Sequence, residues 1–208
     1  MDDMIKTAKK LAESIARTGK FARRFASDPL SIGSIAPSSR WLAARMAAEL
    51  DGCSRILELG SGCGAITSAL LGIPGLEELR ASEIDGAMVA EFSRRHPEVR
   101  IDAVCASEAI AHACLDWTGR HWGMASSIPF RAIPSDVAET LSAAMRTALL
   151  QGGAEIMAQY SYAPIEPFVP GDGLEWTLAS VEFRNAPPAF VWLLQRECSE
   201  PLPEAMPV

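Results

Sequence analysis

Two patterns of apolar and polar positions alternate along the chain. Short apolar-rich runs, typical of buried strands, recur from residue 55 onward, and between them apolar residues spaced three or four positions apart indicate helices. The seven predicted strands are Arg55–Leu59, Leu79–Ile84, Val99–Val104, Trp122–Ile128, Ala154–Tyr162, Leu174–Phe183 and Phe190–Arg196. The predicted helices are Arg40–Leu50, Ala65–Leu71, Gly86–Arg95, Ser107–Leu115 and Pro134–Leu150. This order predicts an α/β fold with an open, mostly parallel sheet, helices on both faces and a final antiparallel strand pair.

The segment before these elements has a different character. Between Met4 and Phe25, apolar residues fall on one helical face and seven basic residues stand against one acid, a net charge of +6; since the whole chain carries −7, the remainder carries −13. Such a helix suits an anionic membrane surface, although an ordinary helix packed on the domain gives the same pattern. The candidate membrane contacts are Lys6, Lys9, Lys10, Leu11, Ile15 and Phe21. We therefore expect an amphipathic helix at 1–26, a domain at 27–198 and a flexible tail at 199–208.

Composition narrows the class of protein. Hydrophobic residues make up 49% of the 208 residues, enough for a sizeable core, yet no run of about eighteen apolar residues predicts a transmembrane helix. No secretory pattern is found at the N-terminus, and the five cysteines and three histidines are scattered. These features predict reduced thiols, no metal site and a cytoplasmic location. The acidic remainder of the chain argues against a broad nucleic-acid-binding face.

Candidate chemistry is concentrated in Arg55–Gly64, which reads R-I-L-E-L-G-S-G-C-G. The predicted strand ends in three glycines, which let the backbone turn sharply and approach a ligand, and a helix opening at Gly64 would point free N–H groups at that ligand. The loop is not a P-loop, because no Gly-Lys-Ser/Thr follows, and its G-x-G-x-G spacing departs from the dinucleotide fingerprint. Glu83, about twenty residues further on, ends the second strand, where such folds place a carboxylate on ribose hydroxyls. A plain α/β domain with a tight turn is the alternative.

The pattern E-x-G-x-G-x-G resembles motif I of the class I S-adenosylmethionine (SAM) methyltransferases. Further stretches resemble the bacterial phospholipid N-methyltransferases, which methylate phosphatidylethanolamine stepwise to phosphatidylcholine. They are F-x-x-x-F-x-x-D-P (Phe21–Pro29), G-S-I-A-P-S-S-R-W-L-A (Gly33–Ala43), L-E-L-G-S-G-C-G-A-I-T (Leu57–Thr67), E-I-D (Glu83–Asp85), R-H-P (Arg95–Pro97), S-S-I-P-F (Ser126–Phe130), Q-Y-S-Y (Gln159–Tyr162) and N-A-P-P-A-F-V-W (Asn185–Trp192). The resemblance implies a class I, Rossmann-like methyltransferase fold. It also implies an N-terminal helix that binds anionic membrane, at the inner face of the cell membrane.

The resemblance further implies roles for individual residues. The SAM site would be formed by Ile35, Pro37, Ser38, Ser39, Glu58, Gly60, Ser61, Gly62, Gly64, Glu83, Ile84, Ala106 and Ser126, the first four as a lid over the cofactor. The phospholipid amine would lie beside Ser127, Pro129, Phe130, Tyr160 and Asn185, with Tyr160, Tyr162 and Ser127 as the catalytic residues. The tyrosines would position the amine or relay its proton, and with Trp122 would hold the methylammonium by cation–π contact. Ordinary strand aromatics, and for Asn185 a turn-forming role, are the alternatives.

Two departures keep other functions open. After the third strand, where class I methyltransferases of this type carry Gly-Asp-Ala, this chain has Cys105-Ala106-Ser107, so the acid that binds the adenine amine is missing unless Asp102 serves. The ribosomal RNA adenine dimethylases, which the core also resembles, carry Asn where this chain has Ser127. A SAM methyltransferase acting on RNA adenine or a small-molecule amine, and a non-catalytic lipid-binding protein on the same fold, are therefore the alternatives to a phospholipid methyltransferase.

Overall fold

A computed structural model describes residues 38–197 of the chain. Its strands are β1 (Arg55–Leu59), β2 (Glu78–Ser82), β3 (Arg100–Asp102), β4 (Trp122–Ser126), β5 (Ala154–Ser161), β6 (Leu174–Glu182) and β7 (Ala189–Arg196). Its helices are α1 (Arg40–Ala48), α2 (Thr67–Leu70), α3 (Gly86–Arg95), α4 (Ala106–Asp116) and α5 (Ser135–Leu150). The predictions for the amphipathic helix at 1–26, for Ile35 and Pro37 of the lid, and for the tail at 199–208 lie outside the described residues.

All seven strands form one sheet, in the order β3-β2-β1-β4-β5-β7-β6. β1 pairs in parallel with β2 and with β4, and only β7 runs antiparallel, to both β5 and β6. The mostly parallel, seven-stranded α/β sheet and its final antiparallel pair are therefore confirmed. The strand order reverses between β1 and β4, and in open α/β sheets ligands bind at such a point, outside the carboxyl ends of the strands. We call this side of the sheet the ligand edge.

The sheet is buried on both faces, as parallel sheets require. Ile56 lies in a core cluster with Leu42 of α1 and Phe92 of α3, whereas the next residue, Leu57, lies in a second cluster with Met145 of α5. Because neighbouring side chains of a strand point to opposite faces, one short strand supplies both cores. β1 and β4 are buried almost throughout, which fixes the loops that follow them at the ligand edge.

Two predicted elements are shorter than expected. The helix after the glycine loop was predicted to open at Gly64, but α2 is a single turn that begins at Thr67, with turns between the loop and the helix. The Gly64 amide donates to the Ser61 carbonyl at 2.9 Å, which holds this part of the chain in a turn. β3 contains only three of the six predicted residues, because it lies at the edge of the sheet and pairs with β2 alone. No helix in the described part of the chain is long and apolar enough to span a membrane.

Candidate cofactor and acceptor site

The three loop glycines are required for different reasons. Gly60, Gly62 and Gly64 all have positive φ angles, of 67°, 56° and 86°. A Cβ at Gly60 would lie 2.9 Å from Cγ1 of Ile128, and one at Gly64 would lie 2.5 Å from the ring of His96, so both positions make room for the protein itself. At Gly62 the nearest atom would be 4.0 Å away, so this position is open. Only Gly62 therefore leaves space for close approach of a ligand.

Four amides of the loop are bonded within the protein. The Gly60 and Ser61 N–H groups both donate to the Ser82 carbonyl, at 3.0 and 3.1 Å, and the Gly62 N–H donates to Glu83 Oε2 at 3.0 Å. The prediction of a helix N-terminus at Gly64 is wrong, because α2 begins at Thr67 and the Gly64 amide is bonded to Ser61. The Cys63 amide makes no hydrogen bond within the described residues. Further polar groups toward a ligand come from side chains.

Glu83 is the most firmly held of these side chains. Its carboxylate accepts from the backbone amides of Gly62, Ile84 and Asp85, at 3.0, 2.8 and 2.9 Å. Asp85 in turn caps α3 by accepting from the first amides of the helix. The Glu83 side chain remains partly exposed at the end of β2. Its Oε1 accepts two of these bonds, whereas its Oε2 accepts one and has a lone pair to spare. It is thus positioned at the ligand edge to accept from a hydroxyl group, as predicted for a ribose.

Glu58 has a different environment. It is 1% exposed; its Oε2 accepts from Thr67 Oγ1 at 2.7 Å, and its Oε1 has no hydrogen-bond partner among the described residues. Burial raises the pKa of this carboxyl to about 8, and the bond from Thr67 opposes the rise only in part. The side chain is therefore largely protonated at neutral pH. A cationic ligand group beside it would favour the ionised form.

The segment between β3 and Ser107 contains no acid, and the first acid of α4, Glu108, is exposed. Ala106 is the first residue of α4, and Cys105 precedes it without a side-chain capping bond. Ser107 Oγ lies 3.3 Å from the Cys105 sulfur, and Asp102 accepts from its strand neighbour Arg100 at 3.0 Å. Asp102 accepts this one bond and keeps lone pairs on its carboxylate, so the adenine could be bound by Asp102, by the backbone or by Ser107.

The loop after β4 lies across the reversal point from the glycine loop. Ser126 is buried and its Oγ accepts from the Ile128 amide at 3.4 Å, whereas Ser127 and Pro129 are half-buried. Phe130, predicted to contact substrate, is 7% exposed and packs on Phe168 with ring centroids 4.7 Å apart, so it anchors the loop in the core. Ser127 and Pro129 remain available to an acceptor.

Tyr160 and Tyr162 form an edge-to-face pair at the end of β5, with ring centroids 5.6 Å apart. The Tyr160 hydroxyl accepts from Ser38 Oγ at 3.3 Å. Burial, with a smaller contribution from Tyr160, raises the pKa of Tyr162 to about 12, against a lowering by Asn185. Tyr162 is therefore protonated at neutral pH and can donate a hydrogen bond.

Asn185 joins two distant parts of the chain. It is 2% exposed, its Oδ1 accepts from the Ser39 amide at 2.9 Å, and its Nδ2 donates to the Pro187 carbonyl at 2.7 Å. Ser39 in turn caps α1 by accepting from the Leu42 amide at 3.2 Å. Both polar ends of the Asn185 side chain are thus engaged, so the structure gives it a turn-forming and fastening role.

Two further residues change the picture obtained from the sequence. Trp122, expected to hold a methylammonium, is fully buried at the start of β4, away from the ligand edge, and packs on Trp117 at 5.5 Å; that prediction is wrong. Gln159, for which no role was predicted, is 2% exposed, and its Nε2 donates to the carbonyls of Ile128 and Tyr160, at 3.1 and 2.7 Å. It therefore ties the loop after β4 to the tyrosine strand. Its place in the Q-Y-S-Y stretch was the available signal.

Known structures share this architecture. A TehB-like SAM-dependent methyltransferase from Corynebacterium glutamicum aligns over 88% of this chain and 99% of its own, with 17% identity and a TM-score of 0.52. The 23S rRNA methyltransferase ErmE aligns over 80% of this chain and 71% of its own, with 19% identity and a TM-score of 0.53. A human methyltransferase 10 domain containing protein aligns over 76% and 80%, with 12% identity and a TM-score of 0.52.

The fold is that of the class I methyltransferases. At these identities the likeness concerns the fold alone. Comparison with protein-family models and with curated proteins gives no match.

The residues at the glycine loop fit SAM, the cofactor of this class of methyltransferase. Glu58 Oε1 and Ser61 Oγ are buried polar atoms that lack a hydrogen-bond partner within residues 38–197. Buried acceptors are normally satisfied, so donors from a ligand such as an ammonium group would complete them. Glu83 would accept from the ribose, and Gly62 leaves space for the approach. Within the described residues, no group of three or more histidines, cysteines or acids could hold a metal ion.

Proposed function

We propose that this protein is a SAM-dependent N-methyltransferase whose acceptor is the amine of phosphatidylethanolamine and of its mono- and dimethyl derivatives. The cofactor supplies an electrophilic methyl group on a sulfonium. The protein contributes position: Glu83 and Glu58 hold the cofactor at the carboxyl ends of β1 and β2, and the acceptor enters across the reversal point from β4 and β5. Orienting the two reactants is a large part of catalysis in such a displacement.

One observation carries the choice of acceptor. Two stretches are the most specific to the phospholipid N-methyltransferase resemblance: I-A-P-S-S, which ends at Ser39, and N-A-P-P, which begins at Asn185. Ser39 and Asn185 are 146 residues apart along the chain. They meet through the 2.9 Å bond from the Ser39 amide to Asn185 Oδ1, and Ser38 of the same segment donates to Tyr160. The segment predicted as the lid over the cofactor and the N-A-P-P turn thus meet beside the tyrosine pair. This contact supports an acceptor pocket that adjoins the covered cofactor.

The chemistry assigned to the tyrosines follows from their environment. An amine that arrives as an ammonium must lose a proton before its lone pair is free. Because the pKa of Tyr162 is raised to about 12, its hydroxyl keeps its proton and serves to orient the head group, while the proton leaves to water. The rings of Tyr160 and Tyr162 offer faces to the increasingly methylated cation. Ser127, half-buried across the reversal point, is the remaining polar side chain toward the amine.

Methylation of RNA is the second candidate function. It is favoured by the neighbour described as a 23S rRNA methyltransferase. Against it stand Ser127 in place of the dimethylases' asparagine and a strongly acidic chain, since RNA binding relies on cations that match phosphates.

A choice-of-acceptor assay tests the proposal. Labelled methyl from SAM is offered together with vesicles of phosphatidylethanolamine containing anionic lipid, with RNA transcripts, and with soluble ethanolamine, and the products are separated. We expect label in methylated phosphatidylethanolamine. Label in RNA or in the soluble amine alone would replace the proposal by the corresponding alternative. A chain that binds SAM and methylates none of the three would contradict it.

A further inference from the structure

An aromatic residue and two arginines are stacked at the surface beside the acceptor site. The guanidinium carbons of Arg40 and Arg184 lie 4.4 and 4.0 Å from the ring centroid of Trp41, so one indole carries two cations. Phe183, next to Arg184 in the turn between β6 and β7, is 77% exposed. We call Arg40, Trp41, Phe183 and Arg184 the docking rim.

Arg184 of this rim is held in place by a buried carboxylate. Glu182, whose side chain is 3% exposed, accepts from Arg184 Nε and Nη2 at 2.8 and 3.0 Å, and Arg45 lies 3.7 Å from the same carboxylate. Arg184 and Arg45 therefore share one acid, and Arg40 forms no ion pair within the described residues. Three arginines are thus gathered around Trp41 and Glu182, in a part of the chain where acids outnumber arginines and lysine is absent. A fixed cation pair on an indole, with an exposed phenyl ring beside it, combines the residue types that are enriched at membrane interfaces.

The rim also lies at the right place for a lipid substrate. β5 is parallel to β4 and pairs antiparallel with β7, so the turn that leads into β7 lies at the ligand edge, with the carboxyl ends of the parallel strands. Asn185, in the same turn as Phe183 and Arg184, is bonded to Ser39, next to Arg40. The chain enters the described residues at Ser38, two positions before Arg40, from the segment whose sequence predicts a basic amphipathic helix.

We propose that the docking rim is a contact surface for an anionic phospholipid bilayer, separate from the predicted amphipathic helix. The proposal rests on the proposed function, because a lipid amine is what the neighbouring site would receive. The arginines meet lipid phosphates, to which their planar guanidinium groups are suited, and Phe183 and Trp41 enter the interfacial layer. The surface thereby orients the ligand edge toward the membrane, so that a head group reaches Tyr160 and Tyr162 without leaving the bilayer.

Paired substitutions in the full chain test this surface. Phe183→Ala is matched by Leu115→Ala, because Leu115 is 76% exposed near the end of α4, a helix that begins at the ligand edge and runs away from it. Arg40→Gln is matched by Arg120→Gln, an exposed arginine that precedes β4 on the opposite edge. Partition onto vesicles of phosphatidylethanolamine and phosphatidylglycerol is measured by co-sedimentation. SAM affinity, measured by calorimetry, confirms that each variant is folded.

We expect Phe183→Ala and Arg40→Gln each to weaken partition on the order of fivefold, with SAM affinity unchanged, and the two control variants to partition as the original chain. Equal partition of all four variants and the original chain would overturn the docking rim. If the rim variants instead weaken binding of a labelled oligoribonucleotide and leave vesicle binding intact, the surface serves RNA and the proposal is likewise overturned. Methylation of detergent-dispersed phosphatidylethanolamine by the original chain is measured in parallel. If the original chain methylates the dispersed lipid but the rim variants partition normally, the proposed function stands and the docking rim is overturned. If the rim variants lose partition but the original chain methylates no lipid, the proposed function is overturned and the docking rim stands.

Discussion

The two halves of the candidate site are built differently. On the cofactor side, at β1 and β2, most hydrogen bonds are donated by nearby backbone amides. Glu83 accepts from three of them, and the glycine-loop amides donate to Ser82 and Ser61. On the acceptor side, at β4, β5 and the β6–β7 turn, the bonds involve side chains that are distant along the chain: those from Ser38 to Tyr160 and from Ser39 to Asn185 span 122 and 146 residues. The first half is formed by local chain geometry, the second by the complete fold.

This difference has a functional meaning. A cofactor that is shared by many enzymes can be held by a motif that closes over about twenty residues, as Gly62 and Glu83 do. The proposed acceptor would be bound by side chains that come from distant parts of the chain, such as the tyrosines and Asn185. Substitutions in the first half should therefore act on stability and SAM affinity, and substitutions in the second half on the use of the acceptor.

The largest expected effect is that of Gly64→Ala. The new Cβ would lie 2.5 Å from the His96 ring at a φ of 86°, so we expect a loss of about 2–4 kcal/mol in the free energy of unfolding, measured by urea denaturation. Gly75→Ala is the control, because Gly75 has a φ of 77° with nothing within 4 Å of its Cβ position. Equal losses at both positions would show that the contact with His96 is not the cause.

Removal of the charge at Glu83 should act next most strongly. Glu83→Gln weakens the bonds that its carboxylate accepts from three amides and from the ribose, and a bond to a charged group contributes about 1.5–3 kcal/mol. We expect SAM affinity to fall at least tenfold by calorimetry, and Glu98→Gln, on the exposed surface, to leave it unchanged. An unchanged affinity in Glu83→Gln would place the cofactor elsewhere.

Glu58 gives the cofactor side a pH dependence. Its folded-state pKa of about 8 lies above the ordinary 4.5, so the folded chain holds the proton more tightly than the unfolded chain. The stability this group contributes is complete below pH 4.5 and is lost as the pH rises through 8. We expect the free energy of unfolding to fall over this range, and Glu58→Gln to remove that slope. Parallel pH curves for the two proteins would contradict the buried, protonated carboxyl.

The smallest effect is expected at the tyrosines. Tyr162→Phe and Tyr160→Phe should each lower kcat/KM for the lipid acceptor several-fold, about 1 kcal/mol, with SAM affinity unchanged, because each removes one neutral hydrogen bond. Since the pKa of Tyr162 is raised to about 12, the pH–rate profile between pH 7 and 9 should keep its shape in Tyr162→Phe. If the pH dependence of the rate between pH 7 and 9 disappears in Tyr162→Phe, Tyr162 acts as a general base.

The sequence predicts the cofactor half better than the acceptor half, for a physical reason. Apolar runs and glycines report local geometry, so β1 and the bounds of α3 are predicted correctly on the cofactor side. On the acceptor side, the antiparallel pairing of β6 and β7 is predicted correctly, but the contacts between side chains are not. The need for glycine at position 64 does not come from a neighbour in the sequence. It comes from the ring of His96, at the end of α3, and no rule of sequence spacing reveals that contact. For the same reason the helix after the loop was predicted too early.

On the acceptor side, residue type alone misplaces function. Trp122 and Phe130 are aromatic residues near a site motif, yet both belong to the core. Trp122 is buried at the start of β4, and Phe130 packs on Phe168. Gln159 shows the opposite case, since a polar residue in an apolar strand becomes meaningful only when the fold brings it to the Ile128 carbonyl. The bond between Ser39 and Asn185 likewise needs the complete sheet.

We propose that the lipid amine binds beside the tyrosine pair, where the segment at Ser38 and Ser39 meets the Asn185 turn. The most direct test is photolabelling of the full chain, with S-adenosylhomocysteine present, by phosphatidylethanolamine that carries a photoreactive group next to its amine. Peptide mapping by mass spectrometry then locates the label. We expect label on the peptides that contain Ser127 and Tyr160–Tyr162. Label confined to the opposite edge of the sheet, such as the segment from Leu115 to Arg120, would contradict it.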